Sequence, residues 1–409
     1  MKLCLAGASS RALGMFVRPG IEEYSEHVQY VGVYDINPGR SRYIGEKFNI
    51  PVYENFDAML RESGADTVLV TTVDAFHHRF IVDSLMAGCD VVTEKPMTID
   101  AEKALEILDA EKKSGKKLTV TFNYRYMPFA TKIRELIASG VIGDVYSVHF
   151  EWLLDRNMDI YAHGTSYFRR WNRYMGKSGG LLVHKSTHHF DLVNWWLADK
   201  PNTVTAFGEL RRYGKNGPFR GKNCRNCDHT KECEYFYDIS KKEFEMDFYV
   251  AAEGSDGYYK DGCVYAEDID IYDTMSVLVK YGGGTLLTYS LNAHTPYEGW
   301  RVSFNGSKGR LEAFLPETGQ LSAAETHQIK VFDSANNVTT YDLPAMKLGH
   351  GGGDANILRA VFVGDLPDPM GHQAGSEAGV NSIIVGVAAN ISIREKRVVE
   401  IDSLLSKDK

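Results

Sequence analysis

The stretch LLVHKSTHHFDLVNWW at residues 181–196 places three histidines, a lysine and an aspartate in an otherwise apolar, helical pattern. His184 and His188 are four residues apart and Asp191 lies three further on, so a continuous helix would put all three on one face. Imidazole suits proton transfer near neutral pH, and the same spacing suits a metal ion. The pattern favours proton transfer, with a metal site as the alternative, and predicts that His189 is a packed core residue.

A second reactive side chain, Lys95, occurs in VVTEKPMTID at residues 91–100. A lysine directly after a buried parallel strand lies at the carboxyl edge of the sheet, where open α/β folds bind ligands. The following proline fixes the local backbone, and Glu94 offers a charged partner. Lys95 is therefore predicted to face a binding crevice, and the alternative is a solvated loop lysine.

The segment LAGASSRALG follows the first predicted strand and has the layout of a dinucleotide-binding turn. Gly7 fits the first glycine position, while Ser9 and Ala12 occupy the other two and are small enough for a close approach to a pyrophosphate. Asp35 ends the second predicted strand, where a carboxylate would accept hydrogen bonds from adenosine ribose hydroxyls. This favours NAD over NADP, although Arg40 lies nearby; the alternative is that Asp35 only caps a helix.

A cysteine cluster occurs in CRNCDHTKECEYF. Cys224, Cys227 and Cys233 have the close spacing of tetrahedral zinc sites, with Cys263 or His229 as a fourth ligand. An iron–sulfur cluster, reduced thiols packed in a loop, or a disulfide are the alternatives. The hypothesis is a structural zinc with no catalytic part.

The elements that must position these residues divide the chain in two. Over residues 1–122, short apolar runs alternate with amphipathic helical patterns, which is typical of parallel βαβ units in a doubly wound Rossmann sheet. Over residues 123–409, longer strands with period-two patterning indicate an antiparallel or mixed sheet with one wet face, closed by two late helical patterns. We predict a dinucleotide-binding domain and a substrate-binding and oligomerisation domain with these boundaries.

Composition limits the possible partners. The 46 Lys and Arg residues against 54 Asp and Glu residues give a net charge of −8, and the absence of a long basic tract argues against nucleic acid. No apolar run is expected to span a membrane, and the N-terminus lacks a signal-peptide layout. A cytoplasmic chain acting on a small molecule is the expectation.

Taken together, the motifs resemble the glucose–fructose oxidoreductase and inositol dehydrogenase family, Gfo/Idh/MocA. The resemblance implies a Rossmann domain followed by an α/β domain with a large open, mainly antiparallel sheet. It also implies bound NAD(P), hydride transfer to or from a sugar, inositol or related polyol, and homodimers or homotetramers built through that sheet. The segments that carry it are GASSRA, YDINPGRS, TTVDAFHHRFIVDSLMAGCDVVTEKPMTIDAEKA, FNYRYMP, SGGLLVHKSTHHFDLVNWWL and GVAANISIREKRVVEID.

The same resemblance implies roles for individual residues: Lys95 would bond the reacting hydroxyl and His188 would accept its proton. The family usually has an aspartate four residues before this histidine, whereas this chain has His184, which could contact substrate hydroxyls or share the proton transfer. Asn123 and Arg125 follow the last predicted strand of the first domain and should border the cofactor and substrate. The remaining predicted contacts are Ser10, Arg11, Thr71, Thr72, His78 and Glu94 to the cofactor, and Tyr126, Arg173, Lys185 and Asp191 to the substrate.

The leading hypothesis is an NAD-dependent oxidoreductase acting on a hydroxyl-bearing carbon of a sugar, glycoside or polyol. A glycosidase that retains NAD and cleaves through a keto intermediate and elimination needs the same Lys95 and remains open. A metal-dependent hydrolase or lyase and a non-catalytic nucleotide-binding regulator are weaker alternatives. A regulator would need neither Lys95 nor His188.

Overall fold

The structure is a computed structural model, and it describes residues 1–157, 162–346, 349–364 and 366–406. The first part of the chain forms a five-stranded parallel sheet. Along its first strand, Leu3 and Leu5 pack into one core cluster while Cys4 and Ala6 pack into another, so both faces are buried. The elements are β1 (Lys2–Ala6), α1 (Arg18–Glu22), β2 (Gln29–Tyr34), α2 (Pro38–Phe48), α3 (Phe56–Glu62), β3 (Thr67–Val70), α4 (Asp74–Met86), β4 (Asp90–Thr93), α5 (Ala101–Ser114) and β5 (Leu118–Val120), and a single-turn π-helix at Ala12–Val17 precedes α1.

The strand order in this sheet is β2-β1-β3-β4-β5. The order reverses between β1 and β3, and doubly wound sheets bind ligands at the carboxyl ends of the strands beside such a switch point. The residues that follow these two strands are Gly7 and Thr71. The predicted dinucleotide turn therefore lies at the switch point.

The second part of the chain builds a nine-stranded sheet in which strand burial alternates, as in β8, where every second residue is buried. Its strands pair antiparallel except for β6 and β9, which are parallel. The elements are α6 (Pro128–Ala138), β6 (Val145–Asp155), α7 (His163–Arg169), α8 (Met175–Ser178), α9 (Gly180–His184), α10 (Thr187–Leu197), β7 (Pro201–Glu209), α11 (Glu243–Phe248), α12 (Glu253–Asp256), β8 (Thr274–Tyr281), β9 (Leu286–Thr295), β10 (Gly299–Gly306), β11 (Gly309–Pro316), β12 (Thr326–Asp333), β13 (Val338–Pro344), α13 (Gly353–Phe362), α14 (Ser376–Glu395), β14 (Val399–Glu400) and α15 (Asp402–Leu405).

This sheet has the order β13-β12-β11-β10-β6-β9-β8-β7-β14. It confirms the predicted Rossmann sheet followed by a large, mainly antiparallel sheet. Short 3₁₀ turns connect the elements at Asn123–Tyr126, Trp171–Arg173, Gly214–Asn216, Cys224–Asn226, Ile239–Lys241, Val250–Ala252, Gln320–Ala323 and Gly349–Gly352.

The two late helices return to the first sheet. Ile357 and Phe362 of α13 pack with Leu3 and Leu5, and Ile383 of α14 packs in the cluster on the opposite face. The first 122 residues therefore do not bury their own sheet alone. The C-terminal helices complete it and hold the two sheets together.

Helix α14 is long and apolar enough to cross a membrane by length and composition, a feature that the sequence analysis does not anticipate. Of the apolar stretch, 61% is buried inside the protein. It packs between β7 and α10, where Ser392 Oγ accepts a hydrogen bond of 3.0 Å from the Ala206 amide. This is the position of a core helix.

Candidate active site

The turn after β1 has the geometry that a dinucleotide site requires. Gly7 has φ of +101°, and a Cβ there would lie 2.6 Å from the amide nitrogen of Thr72, so only glycine fits. Thr71 Oγ1 donates to the Gly7 carbonyl at 2.6 Å, and Ser9 Oγ accepts from the Ala12 amide at 3.0 Å. The turn is thus held tightly against β3, which leaves its outer side for a ligand.

Asp35 lies beside this turn at the end of β2. Its carboxylate accepts hydrogen bonds from the amides of Ala8 at 2.6 Å and Asn37 at 2.7 Å. Arg40 donates a third, at 3.2 Å. The helix-cap alternative belongs to Asn37, whose side chain accepts from the amides that begin α2. Asp35 therefore holds the two loops of the site together in the position expected of a ribose-binding carboxylate.

A polar network links the turn to the second domain. Arg11 Nε donates to Glu94 at 2.8 Å, and the same guanidinium contacts Asp354 of α13 at 3.4 Å. Asp354 also accepts from Asn123 Nδ2 at 2.6 Å. Within the described residues, the buried Asn123 Oδ1 has no hydrogen-bond partner, so a bound polar group there would complete its bonding. Together with the cramped Gly7 turn, this oxygen fits a nucleotide cofactor, and Asp354 is a residue that sequence reasoning missed.

The predicted cofactor contact of His78 is not supported. His78 Nε2 lies 2.5 Å from Glu106 of the neighbouring helix α5. The preceding residue, His77, faces the site instead, with its ring nitrogens 3.0 Å from the Thr72 carbonyl and 2.8 Å from the Pro96 carbonyl. One residue of helical rotation decides which of two adjacent histidines faces inward.

The histidine segment is not one helix. Helix α9 ends at His184 and α10 begins at Thr187, with a turn at Lys185 and Ser186. The His188 amide bonds the Lys185 carbonyl at 3.2 Å instead of the His184 carbonyl four residues back. The His184 carbonyl is therefore released from helical bonding and accepts a hydrogen bond of 3.1 Å from Lys95 Nζ.

This bond holds the half-buried Lys95 at the carboxyl edge of the first sheet. Burial lowers its pKa to about 7, and the positive charge of Lys185 adds to the effect. An ammonium with a pKa near neutrality can both donate a hydrogen bond to a developing alkoxide and exchange its own proton.

His184 has both ring nitrogens engaged. Nδ1 lies 2.5 Å from Asp74 Oδ2 and Nε2 lies 3.2 Å from Asn172 Nδ2. Burial raises the pKa of Asp74 well above its usual range and lowers that of His184, so the uncharged form of each is favoured. This arrangement favours a positioning role for His184 over the predicted catalytic one. Asp74 follows β3 at the same sheet edge as Lys95, a signal that the sequence offered.

His188 has a different environment. Its ring stacks on Tyr124 with centroids 4.3 Å apart and an interplanar angle of 15°. Within the part of the chain that the structure describes, its buried Nδ1 has no hydrogen-bond partner. Burial, and then the charge of Lys95, holds the pKa of His188 well below its usual value. The result is a neutral imidazole with a free nitrogen, which is what a proton acceptor requires.

Two neighbours on α10 are structural. His189 packs 3.5 Å from the Trp152 ring and bonds the Tyr289 hydroxyl at 3.2 Å, which confirms the core role predicted for it. Asp191 accepts two hydrogen bonds from Arg125, at 2.7 and 2.6 Å, in an ion pair that is almost fully buried. Arg125 and Asp191 therefore satisfy each other, which argues against the substrate contacts predicted for these two residues.

Two further substrate predictions have other partners in the structure. Tyr126 faces a separate groove, where its ring lies 5.2 Å from that of His372. Arg173 pairs with Asp268 at 2.8 Å. These contacts argue against the substrate roles predicted for both residues.

The fifth predicted substrate residue, Lys185, is only 2% exposed and acts on the site through its charge. Its Nζ is 4.5 Å from the Trp152 ring centroid, and its charge acts on Glu298 and Glu317. These two carboxyl groups line a cavity of about 1180 Å³, and burial raises the pKa of each to about 7. Lys95 and His188 do not line the cavity directly; Tyr124, whose hydroxyl lies 3.4 Å from Glu317, connects them to it.

Sequence reasoning missed the acidic wall. Glu298 precedes β10 and Glu317 follows β11, and these strands pair so that Gly299 faces Pro316. That strand pairing brings the two glutamates together, and no local sequence pattern predicts it. A second pair on this wall, His163 and Glu298, is in hydrogen-bond contact.

The structure does not support a structural zinc at Cys224, Cys227, Cys233 and Cys263. The four thiols border one small cavity, yet among the described residues no group of three or more His, Cys, Asp or Glu side chains is arranged to hold a metal ion. The buried Arg169 guanidinium approaches Cys224 Sγ to 3.1 Å and places a positive charge where a cation would bind. A metal ion at the histidine segment is not supported either, because its candidate ligands already have partners. His184 binds Asp74, and Asp191 binds Arg125.

Comparison with known sequences agrees with the geometry. Residues 4–122 match the NAD-binding Rossmann fold of the Gfo/Idh/MocA oxidoreductase family, and residues 134–401 match its C-terminal alpha/beta domain. The chain belongs to the Gfo/Idh/MocA family. It is an NAD-binding oxidoreductase by this membership, related to inositol and sugar dehydrogenases.

Individual relatives of this family cover much of the chain. A protein of Bacillus subtilis (strain 168) named "Putative oxidoreductase YteT" is 40% identical over 426 aligned positions, which cover 98% of both chains. The inositol 2-dehydrogenase/D-chiro-inositol 3-dehydrogenase of Lactiplantibacillus plantarum is 29% identical over 228 positions, 52% of this chain and 61% of that one. The solved WlbA dehydrogenase of Bordetella pertussis, in complex with NADH and UDP-GlcNAcA, has a TM-score of 0.67, 16% identity and 98% coverage of both chains, which shows a shared fold.

Proposed function

We propose that the protein is an NAD-dependent dehydrogenase that oxidises a secondary hydroxyl of a sugar, glycoside or polyol. The observation that carries this proposal is the neutral, buried His188, whose Nδ1 is without a partner among the described residues, beside the ammonium of Lys95. A base and a hydrogen-bond donor at one end of a nucleotide crevice are the two protein groups that alcohol oxidation needs.

The roles of the two groups follow from their environments. In our proposal, the neutral His188 imidazole takes the hydroxyl proton while Lys95 Nζ donates to the oxygen as negative charge develops on it. The nicotinamide, when bound, accepts the hydride from the carbon. Tyr124 keeps the His188 ring in one orientation by stacking, and the His184 carbonyl holds the ammonium in place. Burial excludes water, so each hydrogen bond is stronger than it would be in solution.

The substrate class is supported by the cleft wall. Glu298 and Glu317 supply carboxyl oxygens for hydroxyl groups, and the aromatic rings of Phe129 and Tyr235 line the same cavity. Buried polar groups beside aromatic rings suit a polyhydroxylated ligand with alternating polar and apolar surfaces. The Asp35 carboxylate supports NAD in preference to NADP.

A redox glycosidase is the second candidate, favoured by one observation. The pKa of Glu298, raised by burial to about 7, leaves a carboxyl group partly protonated at neutral pH across the cleft. Such a group could donate a proton to a departing alcohol after oxidation has acidified the neighbouring C–H bond. Both reactions require the same Lys95 and His188.

We also propose that the chain forms homo-oligomers through the open face of the large sheet. Three adjacent strands expose apolar side chains there: Phe207 at 80%, Leu286 at 54% and Leu278 at 53%. Large exposed apolar side chains on one sheet face are typical of an association site. Sedimentation velocity tests it: a dimer or tetramer that Phe207→Asp dissociates is expected, and a monomeric wild type would refute it.

The proposed reaction is tested by denaturing the purified protein, identifying released nucleotide by mass spectrometry, and incubating the native protein with a panel of sugars, polyols and glycosides. Absorbance at 340 nm that rises in step with substrate loss is the expected result. Cleavage of a glycoside with no net change at 340 nm would favour the redox glycosidase. Failure to bind any nicotinamide nucleotide would refute both.

A further inference from the structure

A segment of the second domain crosses to the nucleotide-binding domain. Residues 243–256, which contain α11 and α12, pack against α2. The Phe248 ring lies 5.1 Å from that of Tyr43, and the buried Asn37 donates to the Ala252 carbonyl at 2.9 Å. The second domain therefore supplies one wall beside α2 of the nucleotide-binding domain.

The segment reaches the end of the crevice where a pyrophosphate would bind. The Tyr249 hydroxyl accepts a hydrogen bond of 2.9 Å from the Ser10 amide and lies 2.9 Å from Ser10 Oγ. Ser10 belongs to the turn whose free amides meet the phosphates of a dinucleotide. The second domain therefore already contacts the groups that would hold the cofactor.

The other end of the segment reaches the ribose-binding carboxylate through Arg40. The guanidinium lies between two carboxylates, 3.2 Å from Asp35 and 2.7 Å from Asp256 at the end of α12. All three side chains are largely buried, with exposed fractions of 10% for Asp35, 11% for Arg40 and 21% for Asp256. The single positive charge of Arg40 therefore pairs with two carboxylates.

This arrangement bears on the choice of nucleotide. An arginine beside the ribose is the group that would accept the 2′-phosphate of NADP, because guanidinium pairs readily with phosphate. Here Asp35 and Asp256 both accept from its Nη2. A 2′-phosphate that approaches this guanidinium would meet two carboxylates, whereas the ribose hydroxyls of NAD need only Asp35.

We propose that Asp256 is a positioning residue that sets the preference for NAD over NADP by holding Arg40 in this ion pair. The inference rests on the proposed NAD preference and adds to it a determinant from the substrate-binding part of the chain. It also explains why Arg40, which lies close to Asp35 in sequence, does not select NADP.

The test is isothermal titration calorimetry of the full-length, nucleotide-free protein with NAD⁺ and NADP⁺ separately, comparing Asp256→Asn and Asp256→Ala with the wild type. Glu253→Gln is the matched control, because Glu253 lies on the same helix and loses the same charge but pairs with Arg225. Releasing Arg40 should narrow the ratio of the two dissociation constants by about tenfold, mainly through tighter NADP⁺ binding. The control should keep the wild-type ratio within about twofold.

The outcomes distinguish a failure of the role assigned to Asp256 from a failure of the proposed function. Wild type that prefers NAD⁺, with an unchanged ratio in both Asp256 variants, would overturn the role of Asp256 and leave the proposed function standing. Equal narrowing in Glu253→Gln would also overturn it, since any loosening of the segment would then suffice. A wild type that binds neither nucleotide would overturn the proposed function and this inference with it.

Discussion

The two ends of the nucleotide crevice differ in how their polar groups are paired. At the proposed adenosine end, defined by Asp35, Arg40 and Asp256, the charged groups bind one another. At the proposed reaction end, defined by Lys95 and His188, Lys95 Nζ donates to the His184 carbonyl, and the described residues give His188 Nδ1 no partner. Paired groups fix a shape, while unsatisfied groups with pKa values moved by burial are available for chemistry.

Lys95→Met should break the reaction end most severely. Removing the ammonium takes away the donor to the developing alkoxide, and we expect turnover to fall by about 10³-fold or more. Steady-state rates at 340 nm with the best substrate of the panel measure it, and NAD⁺ affinity should stay within about threefold of wild type. Lys103→Met, on the exposed side of α5, is the control; a Lys95 variant as active as this control would contradict the assignment.

His188→Gln and His189→Gln compare two adjacent buried histidines. The first should lower kcat by about 10²-fold or more with little change in melting temperature, because it removes the base. The second should lower the melting temperature and largely spare kcat, because His189 packs against Trp152 and bonds Tyr289. The same phenotype in both variants would remove the distinction between a catalytic and a packed histidine.

Asp191→Asn tests whether the Arg125 pair belongs to the fold or to the substrate. Leaving the Arg125 guanidinium buried without its carboxylate should cost about 3 kcal/mol of unfolding free energy. Chemical denaturation measures the loss, and KM for the substrate should be nearly unchanged. A large rise in KM at unchanged stability would restore the substrate contact that the sequence suggested.

Lys95 should also make stability depend on pH. Burial lowers its pKa from 10.5 to about 7, so between pH 7 and 10 the unfolded chain binds the additional proton and stability rises with pH. Below pH 7 both states are protonated and the full cost of the buried charge is present. Lys95→Met should therefore be more stable than wild type at pH 7, by about 2 kcal/mol after the lost hydrogen bond is allowed for, and this gain should shrink toward pH 10. Melting curves of both proteins across this range would show a constant difference if the prediction is wrong.

Chelation should have the smallest effect. Because Arg169 occupies the charge position beside Cys224, dialysis against a strong chelator should move the melting temperature by less than about 1 °C. Elemental analysis of the protein before dialysis measures its zinc content directly. Stoichiometric zinc, or a fall of several degrees, would show that the cysteines hold a metal after all.

The sequence predicts well those features that depend on local pattern. The parallel sheet, the Gly7 turn and the position of Lys95 each follow from a short motif and the strand beside it. The break between α9 and α10 is not visible in the apolar pattern, since Lys185 and Ser186 are ordinary helix residues. That break converts the predicted face of His184 and His188 into two separate environments.

The sequence did not predict features that depend on contacts between residues far apart in the chain, because no local pattern encodes them. Glu298 and Glu317 meet through the register of β10 and β11, and Asp354 reaches Arg11 from α13. Arg125 and Asp191 have the residue types of a substrate site, yet folding brings them together as an ion pair. Residue type predicts which groups can do chemistry, whereas the partners that folding brings to each group, such as Arg125 to Asp191, decide which of them stay available.

The most direct test of the account compares the wild type with Lys95→Met, both loaded with NAD⁺, and follows absorbance at 340 nm after mixing with the sugar, polyol and glycoside panel. The account predicts that both proteins bind NAD⁺ with similar affinity and that only the wild type reduces it. Equal reduction by the two proteins, or a wild type that reduces no bound NAD⁺ and cleaves no glycoside, would contradict the assignment of the reaction to Lys95 and His188.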